Sequence, residues 1–124
     1  MRLPYPSQAR LLHRSDFQRI YAQGECMRSP LLMLRHAPSS LGPTAPVRFG
    51  FTVSRQVARR AVDRNRIRRV FREACRQVRP RFRPGIDVVL NARRPMLEGV
   101  KTARVQATVI ELAQQAGLLP EPLA

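Results

Sequence analysis

The arginines between Arg55 and Arg83 are the side chains of this sequence that are best suited to chemistry. This stretch of 29 residues holds twelve arginines against two acids, Asp63 and Glu73, so its local charge of +10 makes up most of the +15 carried by the 124-residue chain. A guanidinium group presents a planar pair of donors to phosphate and stacks on bases. The charge therefore indicates a nucleic acid as the first candidate partner and an anionic membrane surface as the second.

The groups that unaided catalysis needs do not cluster in the sequence. The eight acids form no close pair of the kind with which a nuclease holds two metal ions, and His13 and His36 stand apart. There is no glycine-rich phosphate loop, no nucleophile motif and no Cys/His spacing for a metal. We therefore expect a chain that binds nucleic acid, with no catalytic residue and no metal site in the protein.

One helix has to position the arginines. Apolar residues recur there every three or four positions, which predicts a helix with one buried face. They are Ile67, Val70, Phe71, Ala74, Cys75 and Val78. Because a helix turns by about 100° per residue, a set of arginines shares the neighbouring face. These are Arg64, Arg68, Arg72, Arg76 and Arg79, with Asn65 and Arg69 beside them. A face that only confers solubility usually mixes charges, so this excess of arginine favours an anionic partner.

The other elements predict a single α+β domain over residues 1–124, an α-β sandwich with the order α-β-β-α-β-α. Further helices are expected at 11–23, with Ser15 or Asp16 as N-cap, and at 101–117. Strands are expected at 31–37, 48–54 and 86–91, the last one parallel to an earlier strand in a β-α-β unit. Residues 1–10 have the composition of an irregular segment, and 118–124 that of a frayed tail.

Location follows from composition in the same way. No apolar run approaches the roughly 20 residues of a membrane span. Because nucleic acid is the first candidate for the anionic partner, no membrane partner is expected. Cys26 and Cys75 are far apart in the sequence, and Cys75 lies on the apolar helical face, which predicts a buried free thiol. The expected compartment is a reducing cytoplasm.

Aromatic residues are candidates for stacking on bases. Phe17 and Tyr21 share a face of the first helix, where spacing alone favours core packing. In the strand at 48–54, Phe49 and Phe51 alternate onto one face of the sheet. The sheet face that no helix covers is a candidate platform for bases.

Several blocks resemble the bacterial ribonuclease P protein component. Residues 64–74 (RNRIRRVFREA) resemble its motif RNRxKRxxRE. Residues 16–21 (DFQRIY) resemble the first helix of the family, 49–54 (FGFTVS) its GLTVS strand, 57–61 (VARRA) a variant of its next turn, and 87–93 (DVVLNAR) its DVVVIAR strand. The blocks stand in the family's order. Local departures are Arg68 in place of a usual lysine, Asn91 and Arg94 at unusual positions, and Arg35 where an aromatic residue is frequent.

The resemblance implies a protein subunit that assembles 1:1 with the catalytic RNA of ribonuclease P. In that family the RNA, with Mg2+ bound mainly through it, cleaves precursor tRNA to give the mature 5′ end, and the protein alone does not cleave. The implied contacts to the RNA are Arg55, Arg59, Arg60, Arg64, Asn65, Arg66, Arg68, Arg69, Arg72 and Arg76. The implied contacts to the single-stranded 5′ leader, in a cleft between the first helix and the sheet, are Phe17, Tyr21 and Phe49, with Phe51 as the alternative ring. A small mixed sheet and a left-handed β-α-β crossover are also implied.

Three other functions remain open on the residues alone. A ribosomal or RNA-chaperone protein would bind RNA without distinguishing tRNA that carries a leader. A self-sufficient ribonuclease would need the acid pairs that the sequence lacks. A DNA-binding module would insert the arginine helix into a major groove, but no partner helix directly precedes it.

Overall fold

A four-stranded mixed sheet lies at the centre of the fold. The computed structural model describes residues 13–120. Its helices are α1 (Arg14–Gln23), α2 (Ala61–Val78) and α3 (Thr102–Gln115), and its strands are β1 (Glu25–Arg28), β2 (Leu32–Pro38), β3 (Arg48–Thr52) and β4 (Ile86–Ala92). Short 3-10 turns follow α2 at Arg79–Arg81 and β4 at Arg94–Glu98. This is the predicted α+β class.

The strands are arranged in the order β1-β2-β4-β3. β4 pairs antiparallel with β2, where Leu34 lies opposite Leu90, and parallel with β3, where Phe49 lies opposite Val88. The parallel pair joined through α2 confirms the predicted β-α-β unit. The loop between β2 and β3 connects strands of opposite direction that are not neighbours, because β4 lies between them. The handedness of the crossover stays a prediction.

The structure corrects three details of the predicted elements. β1 was not predicted, so the described order is α-β-β-β-α-β-α. The N-cap of α1 is His13, whose backbone N–H donates to Asp16 at 3.0 Å, so neither Ser15 nor Asp16 is the cap. Leu118 and Leu119 are buried in the core, and the Leu118 carbonyl accepts from the Arg83 N–H, so this part of the expected frayed tail is packed. Residues 1–10 and 121–124 lie outside the described residues.

Helices cover both faces of the sheet. On one face, α2 and α3 pack against each other and against apolar residues of β2, β3 and β4, in the main core that includes Phe49, Phe71 and Leu90. On the other face, α1 places Ile20 against Ala37 and Val89. The close approach of α1 to β2 requires Gly24, because a Cβ there would lie 2.5 Å from the Ile20 carbonyl oxygen and 2.6 Å from that of His36.

A buried ionic cluster fastens α1 to the sheet. Arg48 of β3 donates from Nε and Nη2 to the two carboxylate oxygens of Asp87 of β4, at 2.9 and 2.7 Å, and from Nη2 to Asp16 of α1 at 3.2 Å. Arg19 donates to both Asp16 and Asp87, and Ser40 donates to Asp16. Two positive and two negative charges therefore balance inside the fold, and these charges are not available to a ligand.

Candidate nucleic-acid interface

Helix α2 presents its arginines as the sequence predicts. Its buried residues are Ile67, Phe71, Ala74, Cys75 and Val78. Cys75 is a free thiol whose pKa is raised by burial, which confirms its predicted place in the core. The helix starts after Arg60 without a side-chain cap, has Asp63 in its first turn, and ends two residues before Pro80. Since the apolar face is anchored, the direction of the arginine face is fixed by the fold.

The arginines of α2 divide into those that contact the protein and those that do not. Arg64 donates from Nη1 to the carbonyls of Ala58 and Arg59, at 3.1 and 2.8 Å, and so holds the turn that leads into the helix. Arg66 reaches the Leu97 carbonyl at 3.0 Å, Arg68 donates to Asn65 at 3.1 Å, and Arg76 pairs with Glu73 at 3.1 Å. Arg69 is exposed and has no side-chain hydrogen bond or ion pair within residues 13–120, and the same holds for Arg72, which is half-buried.

The turn before α2 adds further positive charge. Arg55, Arg59 and Arg64 line one open depression beside the start of the helix. Arg59 and Arg60 also line a second one together with Arg94, where Asp63 and Glu98 are the acids. The structure therefore brings Arg55, Arg59, Arg60 and Arg64 together at one end of α2. Arg94, which the sequence interpretation did not include among the binding residues, belongs to the same end.

A groove of about 450 Å³ lies where the C-terminal ends of β3 and β4 meet the last turn of α1. It is lined by Tyr21, Met33, Arg35, Phe51, Thr52, Val53, Ser54, Arg68, Asn91 and Ala92. The lining contains two arginines, Arg35 and Arg68, and no acid. We call it the α1–sheet groove. Because Arg68 belongs to α2, this groove is continuous with the arginine face.

Polar contacts organise the centre of this groove. The amide nitrogen of Asn91 donates to the hydroxyls of Tyr21 and Thr52, and its amide oxygen accepts from Arg35 Nε at 3.1 Å. The guanidinium carbon of Arg35 lies 4.8 Å from the centroid of the Tyr21 ring, which is a cation–π contact. One amide thus ties together three elements: the helix α1 and the strands β2 and β3.

The three aromatic assignments have different outcomes. Tyr21 lines the groove and is 45% exposed. Phe17 is half-buried against the Ile20, Ala37 and Val89 cluster and is not among the lining residues, so its contact with a leader stays a prediction. Phe49 was wrong as a binding residue, because its ring is fully buried between Phe51 and Phe82.

Phe51, the alternative ring, lies two positions later on the same strand. Phe51 is partly exposed and lines the groove. Arg35, Thr52 and Asn91 also line the groove and were not among the predicted binding residues, although two of them carry a signal in the sequence. Arg35 and Asn91 are polar residues inside mostly apolar strands, and such residues need a partner or a ligand.

Neither a metal-ligand cluster nor a membrane-spanning helix occurs within residues 13–120. Within residues 13–120, no three His, Cys, Asp or Glu side chains come together as a metal ion would require. None of the three helices is both long and apolar enough to cross a lipid bilayer.

Known proteins resemble this chain in sequence and in fold. A model of the Ribonuclease P family matches residues 5–117. The ribonuclease P protein component of Xylella fastidiosa (strain 9a5c) is 39% identical over 116 residues, which cover 94% of this chain and 82% of that protein. The component of Chloroflexus aurantiacus (strain J-10-fl) is 39% identical over 113 residues, which cover 91% of this chain and 81% of that protein.

Solved structures agree with this likeness. The RNase P protein of Staphylococcus aureus superposes with a TM-score of 0.76 at 24% identity, over 90% of this chain and 97% of that one. The RNase P protein from Thermotoga maritima superposes with a TM-score of 0.74 at 24% identity, over 86% of this chain and 96% of that one. At this identity the structures show a shared fold.

Proposed function

This chain belongs to the ribonuclease P protein family, and from that membership we propose that α2 binds the catalytic RNA while the α1–sheet groove holds the 5′ leader of precursor tRNA. As a family member it is a subunit of the ribonucleoprotein endonuclease that processes the 5′ ends of tRNA. The chemistry of cleavage belongs to the RNA. The protein contributes binding and positioning.

The arginine face supports the contact to the catalytic RNA. Arg69 is exposed and Arg72 half-buried, and neither guanidinium is paired within the described part of the chain, so both remain free for phosphate. Arg64 and Arg66 are each held by a backbone carbonyl, so their guanidinium groups keep a fixed direction. Fixed donors lose little conformational freedom when a phosphate binds.

The α1–sheet groove supports the contact to the leader, and the observation that carries the proposal is its position. It shares Arg68 with the arginine face, so one RNA strand that enters the groove lies beside an RNA bound on α2. Its Tyr21 and Phe51 rings can stack on bases, and stacking tolerates any base. Such a groove suits a protein that accepts leaders of many sequences.

Metal and location complete the proposal. The deeply buried carboxylates Asp16 and Asp87 are already engaged by Arg19 and Arg48, so we assign Mg2+ to the RNA rather than to the protein. One protein binds one catalytic RNA. Both RNA partners are those of the bacterial cytoplasm, where we place the chain.

The first test is cleavage of 5′-labelled precursor tRNA at low Mg2+, with the protein alone, the catalytic RNA alone, and both together. We expect efficient cleavage only in the mixture, because the arginines screen the repulsion between the two RNAs. Cleavage by the protein alone would contradict a non-catalytic subunit. If the protein fails to enhance cleavage in the mixture, a general RNA-binding protein becomes the better account.

The second test isolates the leader. In the assembled complex, Tyr21→Ala should weaken binding of precursor tRNA by about 1–3 kcal/mol if one base stacks on the ring, and leave binding of mature tRNA unchanged. Phe17→Ala tests the other predicted ring in the same way. The matched control is Leu41→Ala, which removes an exposed apolar side chain from the loop between β2 and β3. Equal losses for precursor and mature tRNA would contradict a leader contact.

A further inference from the structure

Arg35 differs from Arg19 and Arg48, two other arginines that lie against the sheet. Arg19 and Arg48 are neutralised by Asp16 and Asp87. Arg35, in contrast, has no carboxylate partner within residues 13–120, and no acid lines its groove. Its charge therefore faces the groove without compensation from the protein lining.

The two contacts of Arg35 leave its phosphate-binding edge open. Asn91 accepts from Nε, and the Tyr21 ring lies against the flat face of the guanidinium group. Neither terminal nitrogen donates to any residue in the described part of the chain. A guanidinium group that is held by Nε and by its face still offers two parallel N–H donors, which is the arrangement that binds phosphate in a bidentate manner.

Asn91 is suited to fix this geometry. It is nearly buried on the central strand β4, and its amide nitrogen is held by Tyr21 and Thr52. Those two bonds set the direction of its amide oxygen, which in turn sets the direction of Arg35 Nε. Tyr21 is held by the same amide, so the ring and the cation that lies on it are oriented together.

We propose that Asn91 is a positioning residue that holds Arg35 flat on Tyr21, and that Arg35 in this position binds a phosphate of the leader. The proposal rests on the leader binding proposed above and gives it a specific contact. A phosphate is favoured over a base edge because a groove that accepts many leaders needs a contact present in every nucleotide. Leader binding by this chain therefore has an ionic component inside the groove, in addition to stacking.

The experiment measures how salt changes leader recognition. The complex with the catalytic RNA is titrated with mature tRNA and with precursor tRNA, and binding is read before cleavage occurs. The ratio of the two affinities isolates the leader, and it is followed across a salt series. The variants are Arg35→Phe, Asn91→Leu and the double variant, with Arg104→Ala on α3 as a control that removes one exposed positive charge outside the groove.

The expected result is a change in the slope of the logarithm of this affinity ratio against the logarithm of the salt concentration. One phosphate on a single strand contributes about −0.7 to the salt slope, so a tenfold rise in salt should reduce the ratio about fivefold more in the unaltered protein than in Arg35→Phe. Asn91→Leu should shift the slope in the same direction. In the double variant it should add nothing to Arg35→Phe, because its effect passes through Arg35. Arg104→Ala should keep the original slope.

Other results overturn the proposal. An Arg35→Phe slope equal to the original excludes the phosphate contact, and an Asn91→Leu effect that persists in the double variant excludes positioning through Arg35. A slope change restricted to leaders with one particular base indicates a base-edge contact instead. If the protein never raises the ratio above that of the RNA alone, the proposed leader binding itself is wrong. Asn91→Ala repeats the measurement if Asn91→Leu lowers the melting temperature.

Discussion

At the scale of single residues, Asp87 carries the largest predicted effect on stability. Its carboxylate is fully buried and accepts from both Arg48 and Arg19. Asp87→Asn removes the charge that compensates them, and breaking a buried pair on one side costs about 3–5 kcal/mol. Urea unfolding should show this loss. Asp63→Asn, which removes a partly exposed partner 3.9 Å from Arg66, should change the free energy of unfolding by less than about 1 kcal/mol.

Asp16 gives the same cluster a dependence on pH. Burial raises its pKa, but the His13 N–H, the Ser40 hydroxyl and Arg48 together lower it below the ordinary value of 3.8. A lowered pKa stabilises the fold above that ordinary value, and the stabilisation is lost as the pH falls through the folded-state pKa. The difference in unfolding free energy between the unaltered protein and Asp16→Asn should therefore shrink as the pH falls below 3.8. A difference that stays constant from neutral to acid pH contradicts this assignment.

The sequence does not show which side chains of β3 are buried. Period-two alternation assigns Phe49 and Phe51 to one face equally, and only their positions along β3 decide which ring is buried. Likewise, nothing local distinguishes Arg48, which is buried in the ionic cluster, from an arginine at the surface. Both outcomes depend on what packs against β3, and that information is spread along the chain.

At the scale of elements, α2 carries some arginines that are expected to serve RNA binding alone and others that are expected to stabilise the fold as well. Arg69 is exposed without a side-chain partner among the described residues, so Arg69→Ala should lower affinity for the catalytic RNA and reduce the salt slope by about 0.9 without changing the melting temperature. Arg64→Ala should reduce the slope similarly. It should also cost about 1 kcal/mol of stability, because its bonds to the Ala58 and Arg59 carbonyls are lost.

These two variants form a matched pair that is read by RNA titration and by thermal unfolding. Equal melting temperatures for Arg64→Ala and Arg69→Ala would contradict a structural role for Arg64. An unchanged salt slope in both would contradict contact of this face with phosphate.

The predictability of an element follows its length and period. α2 repeats its apolar pattern over several turns, so its existence and its buried face were both predicted. β1 has four residues, and they stand between Gly24 and Ser29 without clear alternation. Its partner β2 decides its conformation through pairing, such as Met27 opposite Leu34, which no local pattern records. The resemblance to the family predicted the leader site. The roles proposed for Asn91 and Arg35 could be inferred only from the side-chain contacts in the structure.

At the scale of the whole molecule, the net charge of +15 predicts stabilisation by anions. The internal cluster is balanced, and most of the excess charge lies between Arg55 and Arg83, where like charges repel. Added sulfate should raise the melting temperature at constant ionic strength, because it binds the folded arrangement of arginines. The comparison salt is sodium chloride. Equal melting temperatures in the two salts would contradict anion binding to the folded state.

The position of β4 has a consequence for synthesis on the ribosome. Of the four strands within residues 13–120 it is the last to be made, yet it separates β2 from β3 in the sheet. Until residue 92 has left the exit tunnel, β3 has no neighbour and the apolar face of α2 has no complete surface to cover. The nascent chain therefore exposes the arginines of residues 55–83 beside ribosomal RNA while its core is unfinished, and it can close its fold only after β4 has emerged.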